Sequence, residues 1–132
     1  MLAYMLDTDI SIYLMRNYPA QLRERFEELA GQLCISSITL GELHFGAEKS
    51  ARRIQNIEAI EAFTSRLETL PFSADAAAHF GQLRAHLARV GTPVGPFDML
   101  IGAHARSEGL VLVTNNLREF DRMPGLQVEN WV

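Results

Sequence analysis

The chain has 132 residues, of which 48% are hydrophobic and 21% charged, and a formal net charge of −4. That length buries roughly two-thirds of the unfolded surface in a single domain over 1–132, and the lone Cys34 excludes an internal disulfide and a multi-thiolate metal site, reading instead as a small core residue of a cytoplasmic protein. No apolar run approaches the ~20 residues that span a bilayer, Asp7 and Asp9 break the apolar segment that a signal peptide requires, and the net acidity argues against non-specific binding of nucleic acid.

Residues 2–6 read as a first strand that runs into "DTD", and Asp9 is placed to cap a helix over about 10–16. On that assignment Asp7 has no helix end of its own to serve. Pro19 opens a second helical stretch, with Leu22, Phe26 and Leu29 on one face and Gly31 as its stop. "LCIS", 33–36, reads as a second strand and turns directly into helical "TLGELHFGAEKS". A long helical pattern covers about 51–68, a minimal strand fits around Leu70–Phe72, and Ser73 caps a helix striped by Phe80, Leu83, Leu87 and Val90. The Gly/Pro-dense "GTPVGP" leads into a helix that lasts until Gly109; "LVLVT", 110–114, is the clearest buried strand, and a last strand lies near Gln127–Trp131. Strands alternating with helices predict a largely parallel sheet covered on both faces, with ligands beyond the carboxyl ends of its strands.

Polar residues from four segments fall at that edge: Asp7 after the first strand, Glu42 in the first turn of the helix after the second, Asp98 in the first turn after the Gly/Pro loop, and Thr114-Asn115-Asn116 after strand 110–114. Each has a structural role as well. Thr39 and Glu42 match a capping box, and Asp98 sits third in a helix begun by Pro96, where any carboxylate favours the dipole. Asp75, in the equivalent turn after Ser73, serves as a purely structural control. Gathered carboxylates repel unless a cation is present. With no cysteine and no suitably spaced histidine pair among the donors, oxygen ligands point to Mg²⁺ or Mn²⁺. His44, His79, His86 and His104 are scattered over three helices and read as surface or hydrogen-bonded core.

In order and spacing, "MLDTD…SSITLGEL…GTPVGPFDMLIGAHA…LVLVTNNLREF" resembles the PIN-domain family, and within it the VapC-type ribonuclease toxins of bacterial toxin–antitoxin pairs, over essentially the whole chain. The resemblance implies an α/β/α sandwich around a mostly parallel sheet of about five strands, a metal-dependent acidic site and endonucleolytic cleavage of structured RNA, tRNA in particular. It places the site acids, as catalytic and metal-binding groups, on Asp7, Glu42 and Asp98. The family's fourth acidic station falls on Asn116, which carries no charge; Glu119 is the candidate for the missing carboxylate, and Thr8 and Thr114 are candidates for positioning water or an acid. Homodimers and a small cognate VapB-type antitoxin are implied as partners. Two other functions share the pattern: a non-catalytic PIN-like module that binds RNA or protein, kept in view by Asn116, and a haloacid-dehalogenase-like phosphatase, against which stand the position of Lys49, the lack of an adjacent acid pair and the short chain. Candidate RNA-gripping arginines are Arg16, Arg52, Arg53, Arg84, Arg89 and Arg106.

Overall fold

In a computed structural model describing residues 1–16 and 19–132, the apolar runs become five short strands: β1 (Tyr4–Leu6), β2 (Leu33–Ser36), β3 (Glu68–Leu70), β4 (Val111–Val113) and β5 (Val128–Glu129). They pair in the order β3-β2-β1-β4-β5, and every pairing is parallel. Tyr4, Met5 and Leu6 of the central strand lie beside Val111, Leu112 and Val113. Alternation along the strands sends side chains to opposite faces. Leu6, Ile35 and Val113 pack into one core, whereas Met5, Cys34 and Leu112 pack into the other.

The helices supply the outer layers. Helices α1 (Thr8–Met15), α2 (Ala20–Glu28), α3 (Ser37–Glu48) and α4 (Arg53–Thr64) fill the first core with Ile10, Leu14, Leu22, Phe26, Leu43, Ile60 and Phe63. Helices α5 (Ala74–Val90), α6 (Pro96–Glu108) and the short α7 (Leu117–Phe120) fill the second with Leu83, Leu87, Ile101 and Phe120. This is the three-layer sandwich expected from the alternation of strands and helices. Gly91 and Gly109 end α5 and α6 in the left-handed conformation, at φ 69° and 68°, which a residue without Cβ adopts at little cost. Among the described residues, no helix is long and apolar enough to cross a membrane.

Several boundaries differ from those expected, each for a local reason. Helix α1 starts at Thr8 because Asp7, not Asp9, is its cap: the Asp7 side chain accepts the Ile10 N–H at 2.8 Å. The long helical pattern at 51–68 condenses to 53–64, and the following strand lies at 68–70, where Cys34, Ile35 and Ser36 pair with it. The last strand contracts to 128–129. Ser73 caps α5 as expected, its Oγ accepting the Ala76 N–H. The Thr39–Glu42 capping box does not form. Helix α3 begins at Ser37, capped by Ser36, which moves Glu42 into the second turn and leaves Thr39 buried inside the helix.

Ser36 holds a second partner. Its hydroxyl lies 2.8 Å from Nδ1 of the fully buried His104, whose ring meets Phe72 edge-on at 5.4 Å. Burial pushes the His104 pKa down, so the ring is neutral. Ser36→Ala removes a helix cap and a buried side-chain bond together, and is expected to cost about 2–3 kcal/mol in urea unfolding. Ser73→Ala, which loses only a cap, is expected to cost about 1 kcal/mol.

Candidate active site

Parallel strands bring their carboxyl ends to one rim, and β1, being central, delivers Asp7 to the middle of it. Asp7 is only 4% exposed. Its amide N–H donates to the Val113 carbonyl at 3.0 Å, its Oδ1 accepts from Ile10, and the Thr114 hydroxyl donates to its carboxyl group. The Thr114 oxygen in turn accepts the Asn116 N–H at 2.9 Å, so the turn after β4 is fastened to the acid after β1. One carboxylate thus caps a helix and stands at the centre of the rim.

Glu42 reaches the rim from α3. Instead of closing a capping box it accepts the Thr8 hydroxyl at 2.6 Å, and that hydroxyl also lies 3.2 Å from Thr39 Oγ1. Asp98 stands third in α6, after Pro96, in the position expected from sequence. Glu119 completes the group from α7. Its Oε1 accepts the Gly95 N–H at 2.6 Å and its Oε2 accepts the Asn116 side-chain amide at 2.8 Å. Asn116 is therefore a donor to Glu119, and Glu119 is the carboxylate that the "TNN" segment brings to Asp98.

The electrostatics register how close these groups are. Burial first, and then the charges of Asp9 and Glu42, push the Asp7 pKa up from 3.8 to about 6. Burial, a shared proton and the charge of Glu119, with Asp7 and Glu42 beyond, push Asp98 up from 3.8 to about 7. Partial burial also disfavours the charge on Glu119, but the donors Gly95, Asp98 and Asn116 outweigh it and hold Glu119 below the ordinary range. Within the pair, then, Asp98 carries the proton and Glu119 the charge. Glu119→Gln keeps an acceptor for Gly95 while removing that charge. The Asp98 carboxyl midpoint, followed by carbon-13 NMR, is expected to fall from about 7 toward the ordinary carboxylate range; a midpoint that stays put would show that burial alone sets it.

Thr8, Asp7, Glu42, Asp98, Thr114, Asn116 and Glu119 are thus all placed at or beside one rim. Asp9 is exposed in the first turn of α1, and Asp75 is confined to the first turn of α5. Among the described residues, no three His, Cys, Asp or Glu side chains already surround a common point as a finished metal cage. The chemistry of the donors nevertheless suits a hard cation: all are oxygens, and the raised Asp7 and Asp98 are those a nearby positive charge would return to the ionised state.

Four of the six candidate arginines have described surroundings. Arg53 is committed to Glu48 at 2.6 Å, Arg106 donates to Gln82 at 2.9 Å, and Arg84 lies over the Phe80 ring. Arg16 lines a groove with Glu42. Arg118 and Arg122, absent from the expected set, line a cleft of about 250 Å³ with Pro93, Asn116 and Glu119. The signal for them was their i, i+4 spacing in "NNLREFDR", directly after the polar station. Cys34 is buried and free, and burial pushes its thiol up to about 12, consistent with a core residue.

Comparison with known proteins agrees with this architecture. The PIN domain family model matches residues 4–126. The chain is 56% identical over 131 residues to the tRNA(fMet)-specific endonuclease VapC of Shigella flexneri, covering 99% of each, and 52% identical over 132 residues to ribonuclease VapC2 of Haemophilus influenzae, covering all of both. Its fold superposes on a chain of the DNA-bound VapBC crystal structure from Salmonella typhimurium with a TM-score of 0.97 at 55% identity, again over the full length of both. With a parallel sheet delivering acids to one rim and relatives this similar along their whole length, the chain belongs to the PIN-domain family and, within it, to the VapC ribonuclease toxins.

Proposed function

We propose that residues 1–132 form a single cytoplasmic endoribonuclease domain that needs Mg²⁺ or Mn²⁺, cuts tRNA at a defined phosphodiester, works as a homodimer and is kept silent by a small cognate VapB-type antitoxin. The observation that carries the chemistry is the meeting of Asp7, Glu42, Asp98 and Glu119, drawn from four elements, in one another's electrostatic field. The substrate follows from the relatives named as tRNA(fMet)-specific endonucleases, which makes initiator tRNA the first RNA to test.

In this proposal Asp7, Asp98 and Glu42 hold the cation. When bound, such an ion supplies charge neutralisation at the phosphodiester and a more acidic water. The protein's own part is placement. Thr8 fixes the Glu42 carboxylate through its 2.6 Å bond, so that Glu42 orients the attacking water. Thr114 and the Ile10 N–H fix Asp7. Glu119 adds to burial in holding the proton on Asp98 and clamps the loop before it through Gly95. Water adds at phosphorus, the bond to the 3′ oxygen breaks, and the products carry a 5′-phosphate and a 3′-hydroxyl with no covalent enzyme intermediate.

The test is cleavage of purified initiator tRNA by the metal-depleted protein, with and without restored Mg²⁺ or Mn²⁺. Discrete fragments with 5′-phosphate ends are expected only with the ion. Tight tRNA binding without cleavage under either ion would instead establish a non-catalytic RNA-binding module.

A further inference from the structure

Beside the acids lies a surface that the reaction itself does not use. Phe97, 55% exposed, directly precedes Asp98 in α6 and follows Gly95-Pro96. Its Cα is one peptide step, about 3.8 Å, from that of Asp98. Among the described residues the other large exposed aromatic, Phe45, carries the Lys49 ammonium 5.0 Å from its ring centre, whereas no described ring or cation packs on Phe97. The second helical position has no need of an aromatic side chain, and leaving one in water forgoes the burial that stabilises it elsewhere.

The mount is stiff. Pro96 sets φ at the head of α6, the Gly95 N–H is held by Glu119 at 2.6 Å, and Arg122 Nη1 donates to the Pro93 carbonyl at 3.2 Å. These last two bonds also close one side of the cleft lined by Arg118 and Arg122. Glu119 brings one negative charge to that cleft, its oxygens accepting from Gly95 and Asn116, and Arg118 and Arg122 bring two positive ones on guanidinium forks, which suit phosphate.

We infer that this rim is a nucleotide subsite for unpaired RNA next to the scissile bond: Phe97 stacks on an exposed base, and Arg118 with Arg122 holds the neighbouring phosphate. The inference rests on the endoribonuclease reading for the identity of its ligand, and it assigns to these residues the recognition of a single-stranded stretch. RNA chosen by unstacked bases needs a ring to receive them and cationic groups to follow its backbone; the ring stands in the first turn of α6, and the arginines border a cleft that Pro93, three residues before that helix, also lines.

Two measurements on full-length protein test it: initiator-tRNA binding in an Asp7→Asn background, and cleavage kinetics with Asp7 intact. Phe97→Ala is expected to weaken binding and lower kcat/KM by between about 5- and 150-fold, the usual worth of one base–aromatic stack. Phe97→Trp is expected to restore both, and Phe97→Leu to restore neither. Arg118→Ala is expected to raise KM and to reduce the slope of log affinity against log salt by about 0.7, one single-strand phosphate contact. Melting temperatures should hardly move, since both side chains are exposed. Unchanged binding and cleavage in Phe97→Ala would overturn the subsite, and if the same variant weakened only the complex with the cognate antitoxin, the ring would belong to a protein interface. If the protein with Asp7 intact binds tRNA in a Phe97- and Arg118-dependent way yet never cuts it, the subsite stands and the nuclease reading falls.

Discussion

Asp7→Asn is expected to lower RNA cleavage by about a thousandfold or more while making the metal-free protein harder to unfold at pH 8. The loss of activity follows from removing the charged oxygen at the centre of the rim, where one preorganised electrostatic group is commonly worth about 10²–10³ in rate and a cation-holding one more. The gain in stability has a separate origin. Ionised Asp7 is buried beside other acids, and its pKa of about 6, against 3.8 ordinarily, means that the fold resists its charge. At neutral pH and above, that resistance amounts to about 2–3 kcal/mol. Asparagine is uncharged and caps helices as well as aspartate does, so the bond to the Ile10 N–H survives. Asp9→Asn is the control: exposed and reaching Asp7 only through its charge, it should keep most activity. Should Asp7→Asn cut RNA at the normal rate, Asp7 has no part in the chemistry; should it melt earlier than the parent at pH 8, the burial argument is wrong.

Without metal, the fold is expected to be most stable in mild acid and to lose stability as pH rises from about 4 to about 7. The direction follows from proton counting. Asp7 and Asp98 are acids whose folded-state pKa values, about 6 and about 7, lie above the 3.8 they have when unfolded. Between those limits the folded state binds more protons, so raising the pH favours the unfolded chain; the penalty is complete above the folded values and absent below the unfolded one. Asp98 is half-buried, so water screens part of its share and most of the effect belongs to Asp7. Millimolar Mg²⁺ should reverse the trend at pH 8, since an ion bound only by the folded state adds stability as its concentration exceeds its Kd. Thermal melts at pH 5 and pH 8, each in EDTA and in Mg²⁺, check both parts. A flat pH profile in EDTA would remove the case for a repulsive acid cluster.

Much of this is legible in sequence because the three inner strands are short, almost wholly apolar and separated by helices, whereas the edge strands carry Glu68 and Glu129 and give a weaker signal. Runs such as "YML" and "LVLV" admit few alternatives in a chain that must cover both faces of its sheet. Misplaced boundaries came from the choice between rival caps. Asp7 and Asp9 are both good caps, and sequence cannot show that a single residue separates the end of the strand from the start of the helix; one carboxylate then serves the helix and the rim. Glu42 misled in the same way, since the spacing that fits a capping box is also that of two residues on successive turns. Its actual partner, Thr8, lies 34 positions away, where no local pattern can point. In sequence Asn116 is a departure from an acidic pattern; that its amide holds Glu119 beside Asp98 depends on the turn after β4. Arg118 and Arg122 were missed because helix-face arginines are common and only the fold says which of them border the acids.

The placement of β1 has a further consequence for how the molecule loosens. Its neighbours shield it on both sides, and Met5 and Leu6 are wholly inaccessible, whereas each outermost strand has a neighbour on one side only and carries an exposed glutamate, Glu68 or Glu129. Fraying therefore begins at the margins and reaches Asp7 last. Amide hydrogens of Leu6 and Asp7 should exchange only on global unfolding, and those near Val128 long before. A sheet built this way keeps β1 and the acid after it in register through partial opening, while the Thr114 N–H, which donates to the Glu129 carbonyl of β5, is released early.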